Sequence, residues 1–151
     1  MRSLIAIGLI AGLPMMASCT SSGQLEQKPE ATAVLPSTIP PEKLVGSWGL
    51  GAFHQEGARA RTEAAARRGC NNPYKITRGP NGGLMMHLAD ARQPSELSLK
   101  GGPDGKNYIG PAGPVGDADR EITFDGNVMV MRWLDPEVAK RYGTMVYVRC
   151  K

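Results

Sequence analysis

Arg120 to Leu134 reads REITFDGNVMVMRWL. Asp125-Gly126 divides it into two β-prone runs, and Asp-Gly between such runs is a strong short-range hairpin signal, because the favoured two-residue turn needs positive φ at its centre. The same grammar occurs twice upstream. Asn81-Gly82 stands between YKITR (74–78) and LMMHLAD (84–90), and Asp104-Gly105 between ELSL (96–99) and KNYIG (106–110). Three successive hairpins make an antiparallel meander. LVGSWGL (44–50) ahead of them and TMVYVR (144–149) behind bring the expectation to about eight strands, a number that suits a small closed barrel or a sandwich. The expected fold is therefore mainly β, a single antiparallel meander with two short helices.

Side chains two apart on a strand share a face. Leu84, Met86 and Leu88 point one way and Met85, His87 and Ala89 the other. In the run after Asp125-Gly126 both faces are apolar, with Val128 and Val130 on one and Met129, Met131 and Trp133 on the other. Such a strand is expected to be covered on both sides, by barrel interior and helix or by a partner. One helix is expected over Ala58 to Arg68, from its helix formers, its Arg59–Glu63 and Glu63–Arg67 spacings and the stop at Gly69; without a large apolar residue it belongs on the surface. The other is expected at 135–143, with an Asp135 cap, Pro136 in the first turn, Lys140 and Arg141 at the end and a Gly143 stop. The Gly- and Pro-rich stretch 101–119 reads as loops around one short strand.

The first residues have another character. Met1-Arg2 is a short positive start, LIAIGLIAGL (4–13) is an apolar run of ten, and small residues precede Cys19. That pattern is a secretory signal, and the run falls short of the roughly 20 residues that span a bilayer. Met16-Ala17-Ser18-Cys19 resembles the lipobox of bacterial lipoproteins. The resemblance implies a signal peptide over 1–18 removed before Cys19, diacylation of Cys19 with acyl chains such as palmitate, and an anchor in the cell envelope; Thr20 in place of Asp leans toward the outer membrane, facing the periplasm. Acyl chains anchor because each buried methylene contributes about 0.8 kcal/mol. Residues 19–42 then form the lipidated cysteine and a Pro-, Ser- and Thr-rich tether, with an expected coil span of roughly 25–30 Å. The domain proper is expected over 43–151.

Charge separates the two parts. The tether sets Lys28 against Glu26, Glu30 and Glu42, a net of −2, whereas 43–151 holds 16 basic and 11 acidic residues, a net of +5. All eight aromatic rings fall in the domain. With Cys19 given to lipid, Cys70 and Cys150 remain and are expected to pair as a disulfide in an oxidising compartment.

Little points to catalysis. No GxSxG, HExxH, P-loop or GxGxxG is present, and two histidines without a Cys-x-x-Cys offer no metal set. His54 near Glu56, or His87 near Asp90, would have to supply any acid–base pair. Arg59, Arg61, Arg67 and Arg68 read either as a solvated helix face or as a basic patch for lipid phosphates, anionic polysaccharide or an acidic partner. No cofactor and no nucleic acid are expected. Gly46-Ser47-Trp48 resembles the GxW of lipocalin-like barrels and of small-barrel protease inhibitors, and by that resemblance Arg149 would pack across Trp48; a core tryptophan opening a β-domain would look the same. The leading expectation is a non-enzymatic envelope lipoprotein that binds an envelope component or a protein partner. The alternatives are a lipocalin-like carrier of a small apolar ligand, lined by Met129, Met131, Trp133, Met145 and Tyr147, or a small-barrel protease inhibitor. A cavity of several hundred Å³ lined by those residues would favour the carrier and a filled interior would sink it.

Overall fold

The computed structural model describes residues 34–151; the signal, Cys19 and the first part of the tether lie outside the described residues. Eight strands run in chain order: β1 (Gly46–Phe53), β2 (Tyr74–Arg78), β3 (Leu84–Met86), β4 (Ser95–Gly101), β5 (Asn107–Gly110), β6 (Arg120–Phe124), β7 (Val128–Trp133) and β8 (Thr144–Arg149). Each pairs antiparallel with its chain neighbour. β8 returns to β1 from Trp48 opposite Arg149 to Phe53 opposite Thr144, so the meander closes into a barrel and leaves no free sheet edge. Of the two architectures open from the sequence, the barrel is the one observed.

Alternation decides what lies inside. Trp48, Ile76, Leu84, Met86, Leu97, Ile109, Ile122, Met129, Met131 and Tyr147 fill the interior, joined by Leu44 from the segment before β1. The opposite faces of β7 and β8, with Val128, Val130, Val146 and Val148, form a second cluster with Phe53 and Ala66 on the outside of the wall. Ala66 belongs to helix α1 (Arg59–Arg68), which lies against β1 and β8. β7 is thus apolar on both faces because barrel interior covers one and this outer cluster the other. A helix without large apolar residues can pack there because β1 presents glycine to it. A Cβ on Gly49 would lie 1.9 Å from the Ala66 carbonyl oxygen, so only glycine admits the helix backbone at that distance. The Cys70–Cys150 disulfide, with Cα atoms 5.6 Å apart, ties the end of this helical segment to the residue after β8. It closes 80 residues of chain, for which loop entropy alone gives about 4.5 kcal/mol as an upper figure.

The three hairpins stand where the dipeptides place them, but their turn chemistry differs from the expected pair of positive-φ residues. Only the glycines have positive φ: +89° at Gly82, +77° at Gly105 and +102° at Gly126. The residue before each takes another part. Asp104 Oδ1 accepts from the Lys106 N–H, and Asp125 Oδ1 from the Asn127 and Val128 N–H groups at 2.9 and 2.7 Å. At the first hairpin a carboxylate from β4 does this work instead: Glu96 accepts from the backbone N–H of Asn81 and of Gly83 and from the Asn81 amide.

Helix α2 (Pro136–Tyr142) joins β7 to β8, and Asp135 caps it by accepting from the Glu137 and Val138 N–H groups. The stretch 111–119 folds over the outer face of β4 around a buried ion pair. Lys100 Nζ lies 2.6 Å from Asp119 Oδ1, in contact as a charge pair without the angles of a regular hydrogen bond, and it donates to the Pro111 carbonyl at 2.9 Å. Packing onto the barrel begins before residue 43. The Gly101 N–H donates to the Leu35 carbonyl, Asn107 Oδ1 accepts from the Thr38 N–H and the Ser37 hydroxyl, and Glu42 pairs with Arg78 at 3.0 Å. Residues 34–42, read from composition as tether, therefore lie along the barrel as a strap.

Candidate functional site at the barrel mouth

An up-and-down meander alternates its connections between two ends. One end carries the three short hairpins and the strap; the other carries the longer connections 54–73, 87–94, 111–119 and 134–143. The hairpin end is closed. Leu44 and Trp48 are fully buried there, the indole N–H donates to the Leu44 carbonyl at 2.9 Å, and the Arg149 guanidinium lies 4.3 Å from the Trp48 ring centroid. Arg149 also donates to the carbonyls of Lys43, Val45 and Gly126, drawing the segment just before β1 and the last hairpin over the tryptophan.

The other end is not filled. A partly open cavity of about 360 Å³ lies in the mouth. Its wall is the uppermost inward layer of the strands, Leu50, Tyr74, Arg120, Trp133, Met145 and Tyr147, and its rim comes from 87–91 and from Tyr142 of α2. The rings fall into two groups: Tyr74 meets Tyr147 at 5.7 Å and His87 at 5.7 Å, and Trp133 meets Tyr142 at 5.9 Å between centroids. Leu88, Ala89 and Ala91 on the rim add apolar surface.

Arg120 is the exceptional residue of this layer. It is 2% exposed, on the same strand face as Ile122 and Phe124. One terminal nitrogen donates to the His87 carbonyl at 2.9 Å, the other lies 4.0 Å from the Met131 sulfur, and the guanidinium stands 4.6 Å from the Trp133 ring centroid. Its Nε–H has no partner, and neither has the Trp133 indole N–H, although both atoms are buried. Among the described residues no carboxylate lies within ion-pair distance of Arg120. Asp119, its chain neighbour, is committed to Lys100; Asp90 on the rim is committed to Arg141 at 2.8 Å and to the Tyr142 hydroxyl. The tyrosines do not serve as anions. Burial pushes the Tyr147 hydroxyl up to about 12 against the pull of Arg120, and burial likewise raises Tyr74, whose oxygen accepts from the His87 N–H at 3.0 Å. A guanidinium out of water without a counter-ion carries a large desolvation cost, offset only in part by one carbonyl, one ring face and the neighbouring Tyr147 hydroxyl.

The residues expected to line a ligand cavity divide by depth. Trp133, Met145 and Tyr147 line the mouth, whereas Met129 and Met131 are fully buried below it and do not line it, so the interior cavity walled by all five that the sequence reading required is filled, and what stays open is the mouth above it. The four arginines of α1 also divide. At about 100° per residue Arg61 and Arg68 project together, Arg67 lies to one side, and Arg59 turns toward the barrel and pairs with Glu63 at 2.9 Å. Arg61, Arg67 and Arg68 are exposed. Neither candidate histidine meets its neighbouring acid: His87 Nδ1 faces the Tyr74 hydroxyl at 3.2 Å, and Glu56 pairs with Arg132. Among the described residues no three His, Cys, Asp or Glu side chains gather as a metal ion would require, and no helix is long and apolar enough to cross a membrane.

Other hollows among the described residues include two of larger volume. One of about 490 Å³ borders the strap, where Lys106 and Glu121 are already paired at 2.8 Å, and one of about 470 Å³ lies beside α2. Neither contains a buried polar atom left without a partner apart from the Trp133 indole that the second shares with the mouth. No protein-family model, no curated protein and no solved structure matches the chain.

Proposed function

We propose that the chain is a non-enzymatic, lipid-anchored envelope protein whose barrel binds a small, largely apolar ligand in its mouth. The observation that carries this reading is the contrast between a filled, capped interior and a partly open cavity of about 360 Å³ walled by Trp133, Tyr147, Tyr74 and Met145. That volume is at the small end of those that hold organic ligands, and barrel mouths are a recurrent place for them. The lipobox-like Met16–Cys19 supports the anchor, the lean of Thr20 supports the outer membrane, and the strap at 34–42 sets the length of chain left between anchor and barrel. Native mass spectrometry of the full chain recovered from envelope fractions tests the reading. A retained small molecule that is lost when Met145→Trp fills the mouth is the expected result; a chain without adduct whose spectrum Met145→Trp leaves unchanged would overturn it.

The exposed Arg61, Arg67 and Arg68 favour a second reading, in which the outer surface of α1 meets an anionic envelope component or an acidic protein partner. Charge reversal of Arg61 and Arg68 would abolish binding to anionic envelope fractions on this reading and leave the mouth ligand in place.

A further inference from the structure

We infer that the ligand of the barrel mouth carries a carboxylate, seated on Arg120 with the Trp133 indole N–H as second donor. The inference rests on the reading of the mouth as a ligand site and specifies the polar end of what enters it. Arg120 is buried, its Nε–H is without a partner, and it stacks at 4.6 Å on the ring whose own N–H is also without one. Both side chains wall the same cavity.

An unmatched positive charge beside two unmatched donors suits a planar monoanion, whose two oxygens can accept from both while its charge meets the guanidinium. The charges around the site agree. Asp90 is the acid on the rim, and Arg141 neutralises it at 2.8 Å, so Arg120 leaves the mouth with one uncompensated positive charge. Tyr147 remains a neutral hydroxyl and cannot supply the missing anion. The rest of the wall is aromatic or aliphatic, which selects a carboxylate on a compact apolar body over an inorganic anion. A phosphate monoester would bring close to two negative charges to a mouth with one uncompensated positive charge.

The guanidinium is already held in place. The His87 carbonyl fixes one terminal nitrogen and the Trp133 face fixes the plane, so binding does not have to order a long side chain.

Isothermal titration calorimetry of the full chain with three matched probes tests this: 3-phenylpropanoate, its neutral amide, and 2-phenylethyl phosphate. The carboxylate should bind about 10- to 100-fold more tightly than the amide, the range for a hydrogen bond to a charged group, and more tightly than the phosphate. Arg120→Met should remove the preference for the acid while leaving the amide bound, and Trp133→Phe, which keeps the ring and removes the donor, should reduce it by several-fold. Equal binding of acid and amide would overturn the carboxylate and leave the mouth as an apolar site. Equal or tighter binding of the phosphate would overturn it in favour of another anion. No binding by any probe would overturn the carboxylate and the ligand site together. Should Arg120→Met not fold, the probe series on the unaltered chain and on Trp133→Phe decides alone.

Discussion

The barrel holds two arginine–tryptophan pairs, one at each end, and they differ in everything except their stacking distance. Arg149 lies 4.3 Å from Trp48 and Arg120 4.6 Å from Trp133. At the closed end the indole N–H is bonded to Leu44 and the guanidinium spans three carbonyls; at the mouth the indole N–H and the guanidinium Nε–H are both without partners. The first pair is satisfied by the chain itself. The second is organised by the chain and left incomplete, the condition expected where stability is given up for binding.

Removing the satisfied tryptophan should have the largest effect. Trp48 is fully buried and packs edge-on to Phe124 at 6.2 Å, so Trp48→Ala should lower unfolding stability by about 3–5 kcal/mol, read from denaturant midpoints with the disulfide intact. A loss below about 1 kcal/mol would mean that the closed end is not the anchor of the core. Arg149→Met comes next. It keeps part of the packing but frees the Lys43, Val45 and Gly126 carbonyls at a half-exposed site, and should cost about 1–2 kcal/mol. Hydrogen exchange should rise at 43–45 and at the β6–β7 hairpin and stay unchanged at the mouth.

Arg120→Met sharpens the contrast by its sign. Replacing an uncompensated buried charge with an apolar side chain of similar length removes a desolvation cost and should leave stability unchanged or raise it by up to about 1 kcal/mol without ligand. A fall of more than about 2 kcal/mol would make Arg120 a structural residue of the same kind as Arg149 and erase the difference between the two ends.

The hairpins and the two helices are legible in the sequence because their signals are local: Asn81-Gly82, Asp104-Gly105 and Asp125-Gly126 sit between β-prone runs, and Asp135-Pro136 opens a helix that Gly143 stops. The course of α1 along β1 is less so. Gly49 and Gly51 read as weak strand residues until the helix that needs their bare backbone is in place. The strap is harder still, since Ser37, Thr38 and their prolines have linker composition and their partner Asn107 lies about 70 residues away. For the mouth, the alternation in REITF puts Arg120 on the face of Ile122 and Phe124, so an inward arginine can be read directly. What cannot be read is its isolation. That depends on Asp119 pairing with Lys100, on Asp90 pairing with Arg141, and on how far up the barrel Trp133 stands above Met129 and Met131, all of which only closure of the barrel decides.

Acid should act on the two ends unequally, with the smallest effect of the series. At the closed end, hydrogen bonds from the Val128 and Asn127 N–H groups hold the Asp125 carboxyl below its ordinary value, and the Tyr108 hydroxyl does the same for Asp104. Glu96 is also lowered, its partial burial being outweighed by the Gly83 and Asn81 donors. A carboxylate whose folded pKa is depressed contributes stability that is present in full above its unfolded pKa and lost as pH falls through the folded one. The loss should therefore begin as pH drops below the ordinary carboxylate range, and it should appear first in the three hairpins. Asp104 and Asp125 are exposed and Glu96 is half-buried, so solvent screening keeps the effect small. Chemical shifts or hydrogen exchange at 79–83, 102–106 and 125–127 should respond before those of Tyr74, Trp133 and Tyr147. Glu96→Gln, which keeps an acceptor but not the charge, should flatten the response at the first hairpin alone; an acid response that instead starts at the mouth would show that the exposed Asp90–Arg141 pair, and not the turn carboxylates, is the weak point of the barrel.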